Sequence, residues 1–362
     1  MFESSIVCSL IVICNYAFRN FKAEKSLFIG FAILFVFQAV RYDYGNDYMS
    51  YFHNFNEVKH LPFNHDTIVG FGEKNRIEIG YLYLIKIFPF SDFYIFIIFW
   101  SFFNCFAYFY FIKKYVFPNY YWFALALYLF WPGGMLVQLS AIRQTIAIFI
   151  FVWAYNFAEK RNLLKFILLL LFGGLIHSSI LILMPLYFIV NQYILKDKLI
   201  YLFSIFFLLV LFADSGFKNN IIPYVDLYFN QYSHYLNDEW SEKIAETSIS
   251  QSLFRIITFI LILYAYKVGN IIERRVAVFS LFFILFSLLG SILFLVNRLS
   301  MFFVPFLIVS LPLALKNLRN FYLRNSLIFI ILLYVIKQYF TFFYSEIYGG
   351  SYYEYKTIFN MF

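Results

Sequence analysis

Charge is scarce in this chain. Of its 362 residues 13% are charged against 63% hydrophobic, and the mean hydropathy is +0.74. That balance excludes an ordinary soluble domain, and it equally excludes disorder, which needs few apolar and many charged residues. Cysteine is nearly absent. Cys8, Cys14 and Cys105 all fall inside apolar runs, which predicts free thiols rather than a disulfide framework or a metal cluster. No second His or Cys stands at metal spacing from His177, so zinc is not expected. There is no glycine-rich nucleotide loop, no repeat of fixed period and no low-complexity linker. No basic stretch precedes the first apolar run, 2–18, and no small-residue cleavage site follows it, so the run reads as a span rather than a signal peptide. The net charge of +8 does not call for a nucleic-acid partner, because the positive-inside rule makes membrane proteins basic.

What the chain has is apolar runs. They recur near the length that crosses a ~30 Å hydrocarbon core. The predicted fold class is all-α: a polytopic integral membrane protein of about twelve transmembrane helices, with two longer outer loops and an interfacial helix. We read residues 1–362 as one integral domain with both ends outside and outer loops at about 41–90 and 214–252. Basic clusters such as Arg19/Lys22/Lys25, Lys113/Lys114 and Arg274/Arg275 mark the inner side. Residues 163–190 decide the topology. Read as a hairpin turning at Gly173, Gly174 and His177, they place every basic cluster inside. Glu78 to Phe88 is too short to span and ends before Pro89, which predicts a helix lying in the outer interface.

The run 135–157 carries Arg143 and Gln144 roughly nine residues in, on the order of 12 Å below the start of a continuous helix. An arginine at that depth costs about 2.5–3.5 kcal/mol on insertion scales, so it should face a polar cavity or a partner. Ser140, Arg143, Gln144 and Ala147 follow i, i+3, i+4, i+7 spacing and are expected on one helix face.

Other polar residues gather on the predicted outer side. Arg41 opens Arg41-Tyr42-Asp43-Tyr44-Gly45-Asn46-Asp47-Tyr48, where Asp43 could act as a base or, with Asp47, hold a metal. The spacing is not DxD, and a solvated turn explains it equally well. Glu78 stands at a helix N-terminus, where a carboxylate is favourable in itself. Partial burial there would raise its pKa and suit it to general-base work. His177-Ser178-Ser179 begins a span. The adjacent hydroxyl and imidazole are not placed to act as a nucleophile pair, and a structural histidine is the ordinary reading. Arg298 precedes a late span. Tyr232 and Tyr235 lie in the second outer loop among amides and carboxylates, a composition suited to a sugar groove and equally to an aromatic belt.

These segments resemble the EpsG family of membrane proteins, related to Wzy-type O-antigen and exopolysaccharide polymerases. The matching pieces are Arg41-x-Asp43-x-Gly45-x-Asp47-Tyr48, Glu78-x-Gly80-Tyr81, Ser140-x-x-Arg143-Gln144, His177-Ser178-Ser179, Tyr232-x-x-Tyr235 and Arg298, in that order. The resemblance implies a polymerase in the bacterial cytoplasmic membrane. Its substrates would be undecaprenyl-pyrophosphate-linked oligosaccharide units, joined on the outer side into a surface polysaccharide such as O-antigen, capsule or exopolysaccharide. It implies Arg143 and Arg298, supported by Arg41, at the leaving pyrophosphate. Glu78, His177 and Asp43 are candidate bases of equal rank, while Gln144, Asp47, Tyr232 and Tyr235 would line the glycan site. No metal, nucleotide or other cofactor is required, and the resemblance leaves room for a partner that regulates chain length. Two rivals stand beside this reading. One is a transferase using a polyprenyl-phosphate sugar and a carboxylate-bound metal. The other is a flippase or transporter of lipid-linked oligosaccharide, which should carry polar groups on both leaflets.

Overall fold

The computed structural model describes residues 1–191, 197–211, 249–290, 294–346 and 348–361. Tyr232, Tyr235 and nearly all of the second outer loop lie outside the described residues. The chain divides into two compact units: Met1–Asn191 with Val335–Phe362, and Gln192–Tyr334.

The first unit begins with α1 (Phe2–Ala17) and α2 (Ala23–Ala39). The polar segment that follows is not a simple loop, because α3 (Tyr48–His60) and α4 (His65–Asn75) are folded within it. Each keeps a buried stripe, Tyr48/Tyr51/Phe55/Val58 in α3 and Ile68/Gly72 in α4. Those stripes are short and interrupted by Asn, Glu and Lys, so composition hid them. The predicted interfacial helix is α5 (Ile79–Ile87). Lys86 Nζ donates to the carbonyls of Val58, Lys59 and Leu61 at the end of α3, where helix carbonyls run out of intrahelical partners. Next comes α6 (Phe93–Tyr115), started by the Asp92 side chain accepting from the Tyr94 N–H at 2.7 Å.

After α7 (Tyr121–Phe130) the structure corrects the sequence reading. Residues 135–157 are not one helix but two, α8 (Met135–Ser140) and α9 (Ile142–Glu159), with Ala141 out of helical geometry at φ −83°, ψ 62°. Ser140 therefore does not share a helix face with Arg143, Gln144 and Ala147. Arg143 sits in the first turn of α9 and not deep along a continuous helix. The carbonyls freed by the break find side chains: Thr145 Oγ1 donates to Gln138 O at 2.8 Å, and Arg41 Nη2 reaches Leu139 O at 3.4 Å. Apolar periodicity continues unbroken across such a break, so it could not be seen in advance.

The hairpin reading of 163–190 agrees with the structure. Helix α10 (Leu163–Gly174) ends in a turn at Leu175–His177, and a 3₁₀ helix, Ser178–Leu183, runs back against it before α11 (Leu186–Asn191). A Cβ on Gly173 would lie 2.7 Å from Ile180 Cδ1; glycine lets the arms close. The tyrosine-rich tail is also built in. A short ladder pairs β1 (Arg41–Tyr42) antiparallel with β2 (Lys356–Thr357), and Tyr352 and Tyr355 pack edge-on against the buried Tyr44.

In the second unit, Ile249–Val268, Ile271–Leu289 and Val304–Asn317 pack on one another. Asn270 starts the middle helix with a capping box to Glu273, and Ser280 and Ser310 share a buried hydrogen bond of 2.5 Å.

Among the described residues, four helices are long and apolar enough to cross a membrane: Phe93–Tyr115, Ile249–Val268, Val296–Asn317 and Phe321–Phe343. Shorter apolar helices accompany them. Large apolar side chains stay exposed along helix flanks, among them Phe28, Ile29 and Val36 on α2 and Leu164, Leu168 and Leu171 on α10. In water such surfaces would drive aggregation, whereas in lipid they are the solvated face. The protein is an all-α membrane protein.

Candidate active site

Three separate segments bring polar side chains together. Helix α4 ends at Arg76 in the left-handed region (φ 54°), and the Ile77 N–H returns to Gly72 O at 2.9 Å. This turn aims the chain so that Glu78, in extended geometry, starts α5. Two residues on, a Cβ at Gly80 would lie 2.4 Å from Leu175 Cβ and 2.5 Å from Leu175 O. Only glycine allows α5 to press on the hairpin turn this closely. The third segment is the start of α9, made available by the break at Ala141.

The result is a cluster. Arg143 Nη1 pairs with Glu78 Oε2 and lies 3.5 Å from Arg76 O. The other carboxylate oxygen, Oε1, accepts from the Ser178 N–H at 3.2 Å and stands 3.4 Å from His177 Nδ1. At that distance Nδ1 is within ion-pair reach but is not aligned as a hydrogen bond. The Tyr51 hydroxyl bonds to Arg143 from α3, and its ring packs edge-on to the buried Tyr81 at 6.0 Å. Arg143, Glu78 and His177 keep 24%, 21% and 17% of their side-chain surface, enough for a ligand to touch each one.

The electrostatics correct one expectation. Burial pushes the Glu78 carboxyl upward, but the His177 contact and the Arg143 charge together outweigh it and hold the pKa down at about 2. Glu78 is therefore a fixed anion and a weak base. The sequence reading counted the burial and could not count the partners.

The other candidates fall elsewhere. Arg41 is 4% exposed, and its guanidinium donates to Gln38 O, Ser101 Oγ at 3.1 Å and Leu139 O. None of these belongs to the cluster. Asp43 is turned toward the tail, 4.0 Å from Lys356 Nζ, and Asp47 precedes α3 with its N–H donating to Ser140 Oγ at 3.0 Å. Gln144 is buried on α9. Arg298 is exposed on Phe294–Ser300 in the second unit. Tyr51 and the Ser178 N–H were missed. The Tyr48-x-x-Tyr51 spacing on a helix was the available signal for the first, and a backbone N–H leaves none. Gly45, at φ 125° with its Cβ position 3.2 Å from Ser140 Cα, shows why a glycine stands inside the Arg41–Tyr48 stretch.

The EpsG family matches residues 24–357, nearly the whole chain. The chain belongs to the EpsG family. EpsG is a Wzy-like polymerase family, so membership points to a role in making polysaccharide from a lipid-linked glycan in a membrane. No curated protein and no solved structure matches the chain.

Proposed function

We propose that this EpsG-family protein polymerises undecaprenyl-pyrophosphate-linked oligosaccharide units on the outer side of the bacterial cytoplasmic membrane, with Glu78, His177 and Arg143 at the reacting centre. The observation that carries this is the meeting of carboxylate, imidazole and guanidinium from three segments while each stays accessible. The shorter apolar helices would act as partial crossings that bring the total to about twelve.

In the reaction an acceptor sugar hydroxyl attacks the anomeric carbon of the donor glycan. A new C–O bond forms, and the bond from that carbon to the phosphate oxygen breaks with its electron pair. The lipid pyrophosphate leaves. His177 takes the hydroxyl proton on Nε2. Glu78, an anion beside Nδ1, orients the ring and stabilises the imidazolium. Arg143 faces the departing phosphate, since a five-donor guanidinium can serve a carboxylate and a phosphate oxygen together. Arg298, Asp47, Gln144, Tyr232 and Tyr235 stay in the proposal as glycan or phosphate contacts on sequence grounds. Arg41, bonded to buried neutral oxygens, and Asp43, beside Lys356, would act only as more distant support.

The test is lipid-linked glycan length in membranes carrying the wild type, His177→Ala or Arg143→Ala at matched protein levels. His177→Ala should slow chain growth about 10²–10⁴-fold, leaving single units on the outer face. Single units held on the cytoplasmic face would instead identify a transporter and overturn this reading.

A further inference from the structure

The most buried cation of the first unit lies outside the cluster. Among the described residues, Arg41 bonds to neutral oxygens, two carbonyls and one hydroxyl, the ionisable groups around it are Tyr48, Tyr355, Tyr352 and Cys105, and no carboxylate faces it. A buried guanidinium without an anion is costly, because desolvation of the charge is not offset.

Arg41 lines a pocket of about 20 Å³ shared with Gln38, Trp100, Ser101, Gln138 and Thr145, room for one water-sized particle. Four polar atoms on residues lining it are buried without a protein partner: Arg41 Nε, Gln38 Nε2, Trp100 Nε1 and Gln138 Oε1. Gln38 and Gln138 are 0% and 2% exposed, so bulk solvent does not satisfy them. Three of the four atoms are donors. The fourth is an acceptor, because the Gln138 amide nitrogen is turned the other way and donates to Tyr108 Oη at 2.5 Å and to Gly133 O at 3.4 Å. Ile142 and Ile146, from the first two turns of α9, also line the pocket.

We propose that this pocket binds a monovalent, halide-sized anion, held by Arg41 with the Gln38 and Trp100 N–H groups. A neutral water would satisfy the donors and leave the guanidinium uncompensated. A space that admits a water-sized particle also admits a halide. The bound anion closes the bundle behind the α8–α9 break. It is a structural site, separate from the Glu78 cluster, and it stands whether or not that cluster is catalytic.

The test uses the full-length protein in detergent, melted in sodium chloride, sodium bromide or sodium gluconate at constant ionic strength. Chloride and bromide should raise the melting temperature by about 3–5 °C with a saturable concentration dependence. Arg41→Gln should abolish the difference among salts. Because that variant can fail to fold, Gln38→Glu gives a second arm: its carboxylate supplies the counter-charge internally. It should melt in gluconate as high as the wild type does in chloride, with no halide response. Trp100→Phe should weaken half-saturation about fivefold. A wild type that melts alike in all three salts holds only water in the pocket, and the proposal fails. It also fails if the halide response persists in Gln38→Glu.

Discussion

Replacing Gly80 with alanine removes no functional atom, yet it should disable the cluster. The new Cβ would lie 2.4 Å from Leu175 Cβ, 2.5 Å from Leu175 O and 2.8 Å from Leu175 C. Carbon atoms rest about 3.5–4.0 Å apart, so α5 and the hairpin turn must separate by about 1 Å. Two of those three atoms are backbone and cannot rotate away. Overpacking of this kind costs about 1–3 kcal/mol, which leaves the protein folded. The same displacement opens the contacts of Glu78 with the Ser178 N–H and His177 Nδ1, now 3.2 and 3.4 Å. A 1 Å misplacement of reacting groups costs about 10²-fold in rate. The assay is glycan ladder length together with melting temperature, for Gly80→Ala and for Gly80→Ala combined with Leu175→Gly, which removes the nearer clash. We expect chain growth to fall about 10–100-fold, a melting temperature lower by a few degrees, and partial recovery in the double variant. Normal ladders from Gly80→Ala would refute the reasoning, because the approach at Leu175 would then not be what positions the site.

Acid should weaken the cluster in a defined window. The Glu78 pKa is depressed from 4.5 to about 2, so its stabilisation is complete above pH 4.5 and is lost as pH falls toward 2. After discounting for solvent screening we assign it about 1–2 kcal/mol. Melting wild type and Glu78→Gln at pH 6 and pH 3 should show the gap between them narrowing at the lower pH; an unchanged gap would mean the carboxylate is not held by its neighbours. At the helix break, Thr145→Val leaves the Gln138 carbonyl without its hydroxyl partner. That should cost about 1–3 kcal/mol, read as a lower melting temperature, whereas Thr145→Ser should melt close to wild type.

The membrane class, the helical character and the hairpin at His177 were legible from the sequence alone, because each follows from a local property. Run length decides whether a segment can cross a bilayer, and Gly173-Gly174 with the basic clusters decides where the chain turns back. Glu78, Arg143 and His177 were legible as candidates because polar groups are rare in so apolar a chain. Their partnership was not, since Glu78 and Ser178 stand 100 positions apart. Only folding could decide that Glu78 faces a guanidinium, and so whether burial or charge sets its pKa. The break at Ala141 is equally tertiary. It persists because Thr145 and Arg41 satisfy the freed carbonyls, and Arg41 arrives from a different helix end. The same contact buries Arg41, an arginine whose sequence neighbours suggested a surface role. Hydrophobic length is additive along the chain and can be read in order, whereas a polar group's role depends on what faces it.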